Sequence, residues 1–385
     1  MEFYLSFKEV WRNRSRFFLF SLVIALITIL VLFIAALAEG LANANKQYLE
    51  KLNAELIVFQ KNVDLSINAS RIDRSRLSSI RHVDGVAAVG SIGFSSASVV
   101  LASGQPDLNV SLIGVEPGMP GSPPVQAGRE LQTSFSNEAV IDGNIADRLG
   151  IKVGDLIKIK SIQGTKEQYY DLLVVGVTDG RQFLFQPSVF VPFRTWDRVR
   201  PQSAPGNGSM VQLITNVVAV KLTDPAAVNT MIERIASQVS NVEVVDRKTA
   251  YESVPGYKQQ QSTLNTQQFF TFLIGVLVIG GFFQIQILQK VPLIGVLKAI
   301  GASNHTIGAS IVLQIMLVTT FGVLLGSLAT VLLSLGLPSN IPIYFSGNSV
   351  ASAIGALLLI GPLGGLVSVR HAIRVEPLIA LGLTS

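Results

Sequence analysis

The hydrophobic pattern of this chain is dominated by four long stretches without charge. Phe17 to Ala38 is one uncharged run; the others are about Phe269–Leu288, Thr306–Leu335 and Val350–Val369. About 20 apolar residues carry a helix across a bilayer core of roughly 30 Å. Backbone amides inside hydrocarbon must be bonded internally, so each run is expected to be a helix. The third run exceeds what a bilayer needs, and its end is expected to tilt or project. From Phe269 to Ser385 the only acidic residue is Glu376, and the only basic ones are Lys290, Lys298, Arg370 and Arg374. Such a charge-poor distribution predicts a multi-pass membrane protein rather than a soluble bundle.

Between the first and second runs the pattern changes to short alternating segments, predicting an α+β extracytoplasmic domain over residues 39–268. Ala54–Phe59, Asn216–Leu222 and Asn241–Val245 read as strands, with Val86–Val89 opening another. Arg74–Ile80 reads as a helix, and so does Asp224–Val239, capped by Asp224 with Pro225 at its first position. The two strand–helix–strand units lie far apart in the sequence and are expected to pack as one module. Residues 91–201 read mostly as β, with strands at Ser98–Leu101, Ser111–Val115, Leu156–Ile162 and Asp171–Val177. Gly and Pro punctuate this stretch, predicting a β-rich lobe inserted in the module.

The complete expected layout is a membrane α-helical fold of four transmembrane helices with the α+β domain inserted after the first. Residues 1–16 form an amphipathic N-terminal helix, with Phe3, Phe7 and Trp11 on one face. Transmembrane helices follow at 17–38, 269–288, 306–335 and 350–369. A cytoplasmic segment lies at 289–305, an external loop at 336–349 and a tail at 370–385.

Charge then orients the chain. Residues 1–16, the 289–305 loop and the tail share one face of the membrane; they hold eight basic and three acidic residues. That excess places both termini in the cytoplasm of a cell inner (plasma) membrane protein. It equals the net charge of +5 of the whole chain, so the inserted domain is neutral. The basic character is a topology signal and implies no nucleic-acid partner. Ala36-Leu37-Ala38 has the form of a signal-peptidase site, but the apolar run is longer than a signal peptide needs. The absence of cysteine excludes disulfides and thiolate metal sites.

No phosphate loop, H-E-x-x-H, C-x-x-C or Gly-x-Ser-x-Gly elbow occurs in the sequence. His82, His305 and His371 fall in unrelated segments. The expectation is therefore a chain that is not an enzyme, binds no metal or cofactor and leaves ATP chemistry to another polypeptide.

Three local motifs carry a family resemblance. Ile294-Gly295-Val296-Leu297-Lys298-Ala299-Ile300-Gly301-Ala302-Ser303 resembles the cytoplasmic coupling helix of MacB/FtsX-type (type VII) ABC transporter permeases. Arg374-Val375-Glu376-Pro377-Leu378-Ile379-Ala380-Leu381 is similar to their R-x-x-P-x-x-A-L tail, and Asn144–Asp155 to a turn of their exported domain. The resemblance implies a separate ABC ATPase dimer that binds ATP and Mg, docking through Leu293, Ile294, Gly295, Val296, Leu297, Lys298, Ala299 and Ile300. Leu293 stands where many members have an acidic residue, which suggests apolar packing by Leu293 and Leu297. It also implies pairing with a second permease copy, as a homodimer, and admits an adaptor protein.

The segments Glu39–Asn45 and Val254–Gln261 resemble those of haem-exporting permeases of the HrtB kind. That likeness implies export of an apolar or amphipathic substrate (haem, drug or lipid-like), with Glu39, Tyr48, Tyr257 and Met316 as candidate contacts. The alternative is a mechanotransmitting regulator of an exported cell-wall hydrolase, without transport. Glycines crowd the last three runs, as expected where helices approach closely in lipid.

Overall fold

A computed structural model of the chain describes residues 14–101, 106–201, 214–336 and 343–373. The N-terminal face of Phe3, Phe7 and Trp11 and the Arg374–Leu381 motif lie outside the described residues. In chain order the elements are α1 (Arg14–Glu50), β1 (Leu56–Gln60), α2 (Arg74–Arg81), β2 (Val86–Val99), β3 (Leu108–Val115), β4 (Val125–Gly128) and β5 (Glu138–Asp142). Then come α3 (Gly143–Leu149), β6 (Leu156–Gln163), β7 (Lys166–Thr178), β8 (Ser188–Pro192), α4 (Phe193–Val199) and β9 (Val217–Leu222). The last are α5 (Val228–Gln238), β10 (Val242–Asp246), α6 (Arg247–Glu252), α7 (Tyr257–Ala299), α8 (Asn304–Leu335) and α9 (Gly347–Ile373). The chain divides into two compact units, Leu41–Gln260 and the remainder.

The second of these is a bundle of four helices long and apolar enough to cross a membrane. Glycines set its contacts. A Cβ on Gly280 of α7 would stand 2.8 Å from the Gly364 carbonyl oxygen of α9, and one on Gly364 would stand 2.8 Å from that of Val276. Gly322 and Gly326 of α8 lie against Ile24 and Thr28 of α1 in the same way. Close backbone approach replaces the hydrophobic drive that lipid does not supply. Ile279, Phe283, Ile311, Ile315 and Ile360 fill the space between.

Two helices outrun the expected spans. α1 has 37 residues and α7 has 43. The separate segment expected at 289–305 is instead the last part of α7, which runs through Pro292. Proline removes one ladder bond, but its fixed φ is helical, so the helix continues. It stops in a Schellman arrangement. Gly301 adopts φ +97°; its N–H donates to Lys298 O at 3.0 Å, and the Ala302 N–H donates to Leu297 O at 2.9 Å. Ser303 then caps α8 by accepting from the Thr306 N–H at 3.1 Å.

Leu41–Gln260 is built on one sheet of strand order β10-β1-β9-β2-β3-β8-β5-β7-β4. Strand β2 is shared by its two halves. Its first half pairs antiparallel with β9, and its second with β3. On the first half, β10, β1 and β9 carry α2 and α5, whose Ile80, Met231 and Ile235 pack on Leu56, Val58 and Val220. Asp224 caps a 3₁₀ turn at Pro225–Ala227 rather than the α-helix itself. The inserted β-rich lobe is a closed barrel. Strand β6 pairs with β7 along its length and with the end of β2 at Ser98 and Val99. The ring β2-β3-β8-β5-β7-β6 therefore returns on itself, which removes its free edges. Alternate residues fill it: Val99, Val110, Leu112, Ile141, Ile157, Ile159, Val174 and Val189.

Tyr48, Leu49 and Leu52, at the end of α1, are buried in a third cluster with Ile57, Phe59, Ile92, Phe94, Phe183 and Phe190. Burial of each such side chain contributes about 1.5–3 kcal/mol. The end of the first helix is thus core to Leu41–Gln260.

Candidate substrate site and docking face

Three apolar-to-polar stripes meet at the end of the bundle where α1 leaves it. From α1 come Val31, Ile34, Ala35, Ala38 and Glu39; from α7, Gln261, Asn265 and Gln268, with Phe269 and Phe272 beyond; from α9, Ser349, Ser352, Ala353 and Ala356. Gln261, Asn265 and Gln268 recur at i, i+4 and i+7, one face of a helix. Together they line a cavity of about 610 Å³, within the size usual for small-molecule sites. Its lining is otherwise aliphatic and aromatic, with one carboxylate, three amides and three hydroxyls, the third from Thr271.

The carboxylate is held in place. The Ser346 hydroxyl donates to Ser349 Oγ at 2.8 Å, and Ser349 Oγ donates to Glu39 Oε2 at 3.0 Å. Ser346 also accepts the Ser349 N–H at 3.2 Å, fixing the start of α9. The Tyr344 N–H donates to Ala36 O at 3.1 Å and ties the same segment to α1. An ionisable residue beside apolar walls in a membrane helix is a candidate functional position.

Of the four residues suggested for substrate contact, Glu39 alone lines this cavity. Tyr48 is a core residue: it is fully buried, its hydroxyl donates to Gly121 O at 2.8 Å, and its ring lies 5.3 Å from that of Phe190. Tyr257 meets Tyr251 edge-on at 6.0 Å. Met316 is half-exposed on α8, outside the cavity lining. Sequence reading missed Gln261, Asn265, Gln268, Ser349 and Ser352. For the three amides the signal was their helical spacing before the second span; for the two serines there was none.

At the opposite end of α7, Leu293, Val296, Leu297 and Ile300 form an exposed apolar strip at i, i+3, i+4 and i+7. Ala299 is exposed beside it, while Ile294 and Gly295 turn inward. Lys298 is also turned inward: its Nζ donates to Ile373 O at 2.6 Å, where a cation suits the C-terminus of α9. Lys290 donates to Gln314 Oε1 at 3.0 Å and lies over the Phe17 ring. Among the described residues no cluster of His, Cys, Asp or Glu has the grouping of a metal site.

Four membrane helices with an α+β domain inserted after the first define a multi-pass membrane architecture. A MacB-like periplasmic core domain matches residues 17–238, and an FtsX-like permease C-terminal domain matches residues 268–377. The chain belongs to this MacB/FtsX family of ABC-type permeases, a transport component. It is 24% identical over 378 residues to a Staphylococcus haemolyticus protein named for hemin transport, the permease HrtB, covering 98% of this chain and 99% of that one. An HrtB-named protein of Staphylococcus epidermidis is 23% identical over 381 residues, with the same coverage. Among solved structures, the extracellular domain of the ABC-type transporter YknZ covers 50% of this chain at TM-score 0.36 and 17% identity, and 98% of its own. The periplasmic region of MacB from Actinobacillus actinomycetemcomitans covers 54% of this chain at TM-score 0.36 and 14% identity, and 97% of its own.

Proposed function

We propose that this chain is the membrane subunit of an exporter that extrudes an amphipathic substrate, with haem the leading candidate. A separate ABC ATPase supplies the energy, and two copies of the chain form the permease, with both termini in the cytoplasm. The observation that carries this reading is the cavity: an apolar lining with a fixed carboxylate and three amides. A flat apolar body would rest on Phe269, Phe272, Val31 and Ile34. Its polar substituents would meet Gln261, Asn265, Gln268 and Glu39. The hemin-transport names of the full-length relatives support the same substrate class.

The exposed strip Leu293–Val296–Leu297–Ile300 is the surface on which the ATPase docks. Exposed apolar residues at helical spacing suit a groove in a partner protein. Lys298, bound to Ile373 O, orients this end of α7 from within. ATP-driven closure would push on the strip, and α1 and α7 would carry the displacement along their length.

The test is co-purification with the ATPase. Leu293→Asp/Leu297→Asp should abolish assembly, because two carboxylates would be buried unpaired in the interface. Lys298→Ala should leave assembly measurable. Normal assembly of the double variant would overturn the docking assignment.

A further inference from the structure

Within the loop between β7 and β8 a tight turn grips the backbone of α1. The Phe183 N–H donates to Gln186 O at 3.0 Å and the Gln186 N–H to Phe183 O at 3.1 Å, which makes Leu184 and Phe185 the central pair of a two-residue hairpin turn. Both have left-handed backbones, φ +51° and +62°. Turns of this kind use Asn-Gly or similar pairs, because a large side chain resists positive φ. Leucine and phenylalanine are therefore strained here. Such strain persists only where the surroundings enforce it, and it concentrates at switching segments.

The surroundings that enforce it are visible. The Phe183 ring is buried 4.8 Å from that of Phe94, and Ser111 Oγ donates to Phe183 O at 2.9 Å. The Phe185 N–H donates to Ala44 O at 2.9 Å and the Leu184 N–H points to Asn45 O at 3.5 Å. The Tyr48 N–H reaches Gln182 O at 3.1 Å. The contact carries a second adverse feature. Asn45 is fully buried, and neither its Nδ2 nor its Oδ1 has a hydrogen-bond partner among the described residues. A buried amide without partners is costly. Just past α1, the buried Arg181 donates from Nη1 to Lys51 O at 2.9 Å, while the other polar ties to this loop are half-exposed. Lys51 pairs with Asp179 at 2.8 Å, and Gln47 accepts from the Gln182 N–H at 3.2 Å. Water replaces such links at little cost.

We propose that the Leu184–Phe185 turn is a release catch on the first helix. In the docked state seen here the turn is strained and Asn45 is unpaired. In the released state the turn relaxes, Asn45 gains partners, and α1 moves past it. Both penalties belong to the docked state, so they offset part of the cost of withdrawing Tyr48, Leu49 and Leu52 from the core. The catch goes beyond the exporter reading and rests on it only for its link to ATP hydrolysis.

Two variants with unrelated chemistry test it. Leu184→Asn/Phe185→Gly removes the strain, and Asn45→Leu removes the unpaired amide at similar volume. In the detergent-purified full chain, the Leu184 and Phe185 amides should exchange hydrogen at least tenfold faster than that of Val189 in β8. Both variants should slow that exchange about tenfold or more. Protection equal to Val189 in the unaltered chain, or exchange unchanged in the variants, overturns the catch. In the complex with the ATPase, both variants should keep basal ATP hydrolysis and lose ligand stimulation. Full stimulation in variants whose exchange has slowed also overturns it. Failure of the unaltered chain to recruit an ATPase counts against the exporter reading and leaves the exchange result to decide the catch.

Discussion

Ser349 donates its hydroxyl hydrogen to the Glu39 carboxylate at 3.0 Å, joining the start of the last helix to the first. With Ser346 behind it, this chain of hydroxyls fixes one oxygen of a carboxylate that lines the cavity. A hydrogen bond to a charged group contributes about 1.5–3 kcal/mol. Ser349→Ala should therefore weaken ligand binding roughly tenfold while the protein remains folded, and Ser349→Thr should restore most of it. Hemin titration of the purified permease by absorbance measures both.

Gly280 and Gly281 are neighbours in sequence with opposite surroundings. A side chain at Gly280 meets the backbone of Gly364, whereas one at Gly281 meets nothing within 4 Å. Gly280→Leu should lower the stability of the bundle by about 1–3 kcal/mol through overpacking. Gly281→Leu should be close to neutral. Thermal unfolding in detergent, with both variants side by side, distinguishes close helix packing from a general intolerance of bulk.

Tyr48 offers a test that separates core from substrate site. Tyr48→Phe leaves Gly121 O without its buried donor, at a cost of about 1–3 kcal/mol. Stability should fall, while the ligand concentration for half-maximal stimulation of ATP hydrolysis should stay unchanged. A shift in that concentration with no loss of stability would return Tyr48 to the substrate site.

The presence of four membrane helices was readable because an uncharged stretch of such length has few soluble explanations. The extensions of α1 and α7 were not, because Tyr257–Gln268 is polar and has no apolar periodicity to mark it as helix. Closure of the barrel was equally hidden. It depends on Ser98 and Val99 meeting Lys160 and Ile159, a pairing across 62 residues of chain in the case of Ser98. The aromatic residues near the membrane showed the same limit. Tyr48 and Glu39 share one helix, and periodicity could not tell the residue that fills a core from the one that lines a cavity.

Acid should weaken Leu41–Gln260 partly through Asp73. The Arg76 backbone N–H, then the Ser75 hydroxyl, hold its carboxyl below the ordinary carboxylate range. The folded value lies below the unfolded one, so ionised Asp73 adds stability above the unfolded pKa of about 3.9. That contribution is lost as pH falls through the folded value. Asp73→Ala should cost about 0.5–2 kcal/mol at neutral pH by removing the cap of α2. The gap between variant and unaltered protein should narrow in acid. Urea midpoints across the pH range follow it directly.

The central claim is that the Glu39 cavity receives the exported ligand and that its occupancy is sensed by an ATPase partner. The most direct measurement is ATP hydrolysis by the purified permease–ATPase complex against hemin, macrolides, lipopeptides and lipids, with the unaltered chain and with Glu39→Gln. The account predicts stimulation by one amphipathic class, hemin first, and a loss of that stimulation in Glu39→Gln with basal hydrolysis retained. An active complex indifferent to every ligand would contradict it and favour a mechanical regulator of an exported enzyme.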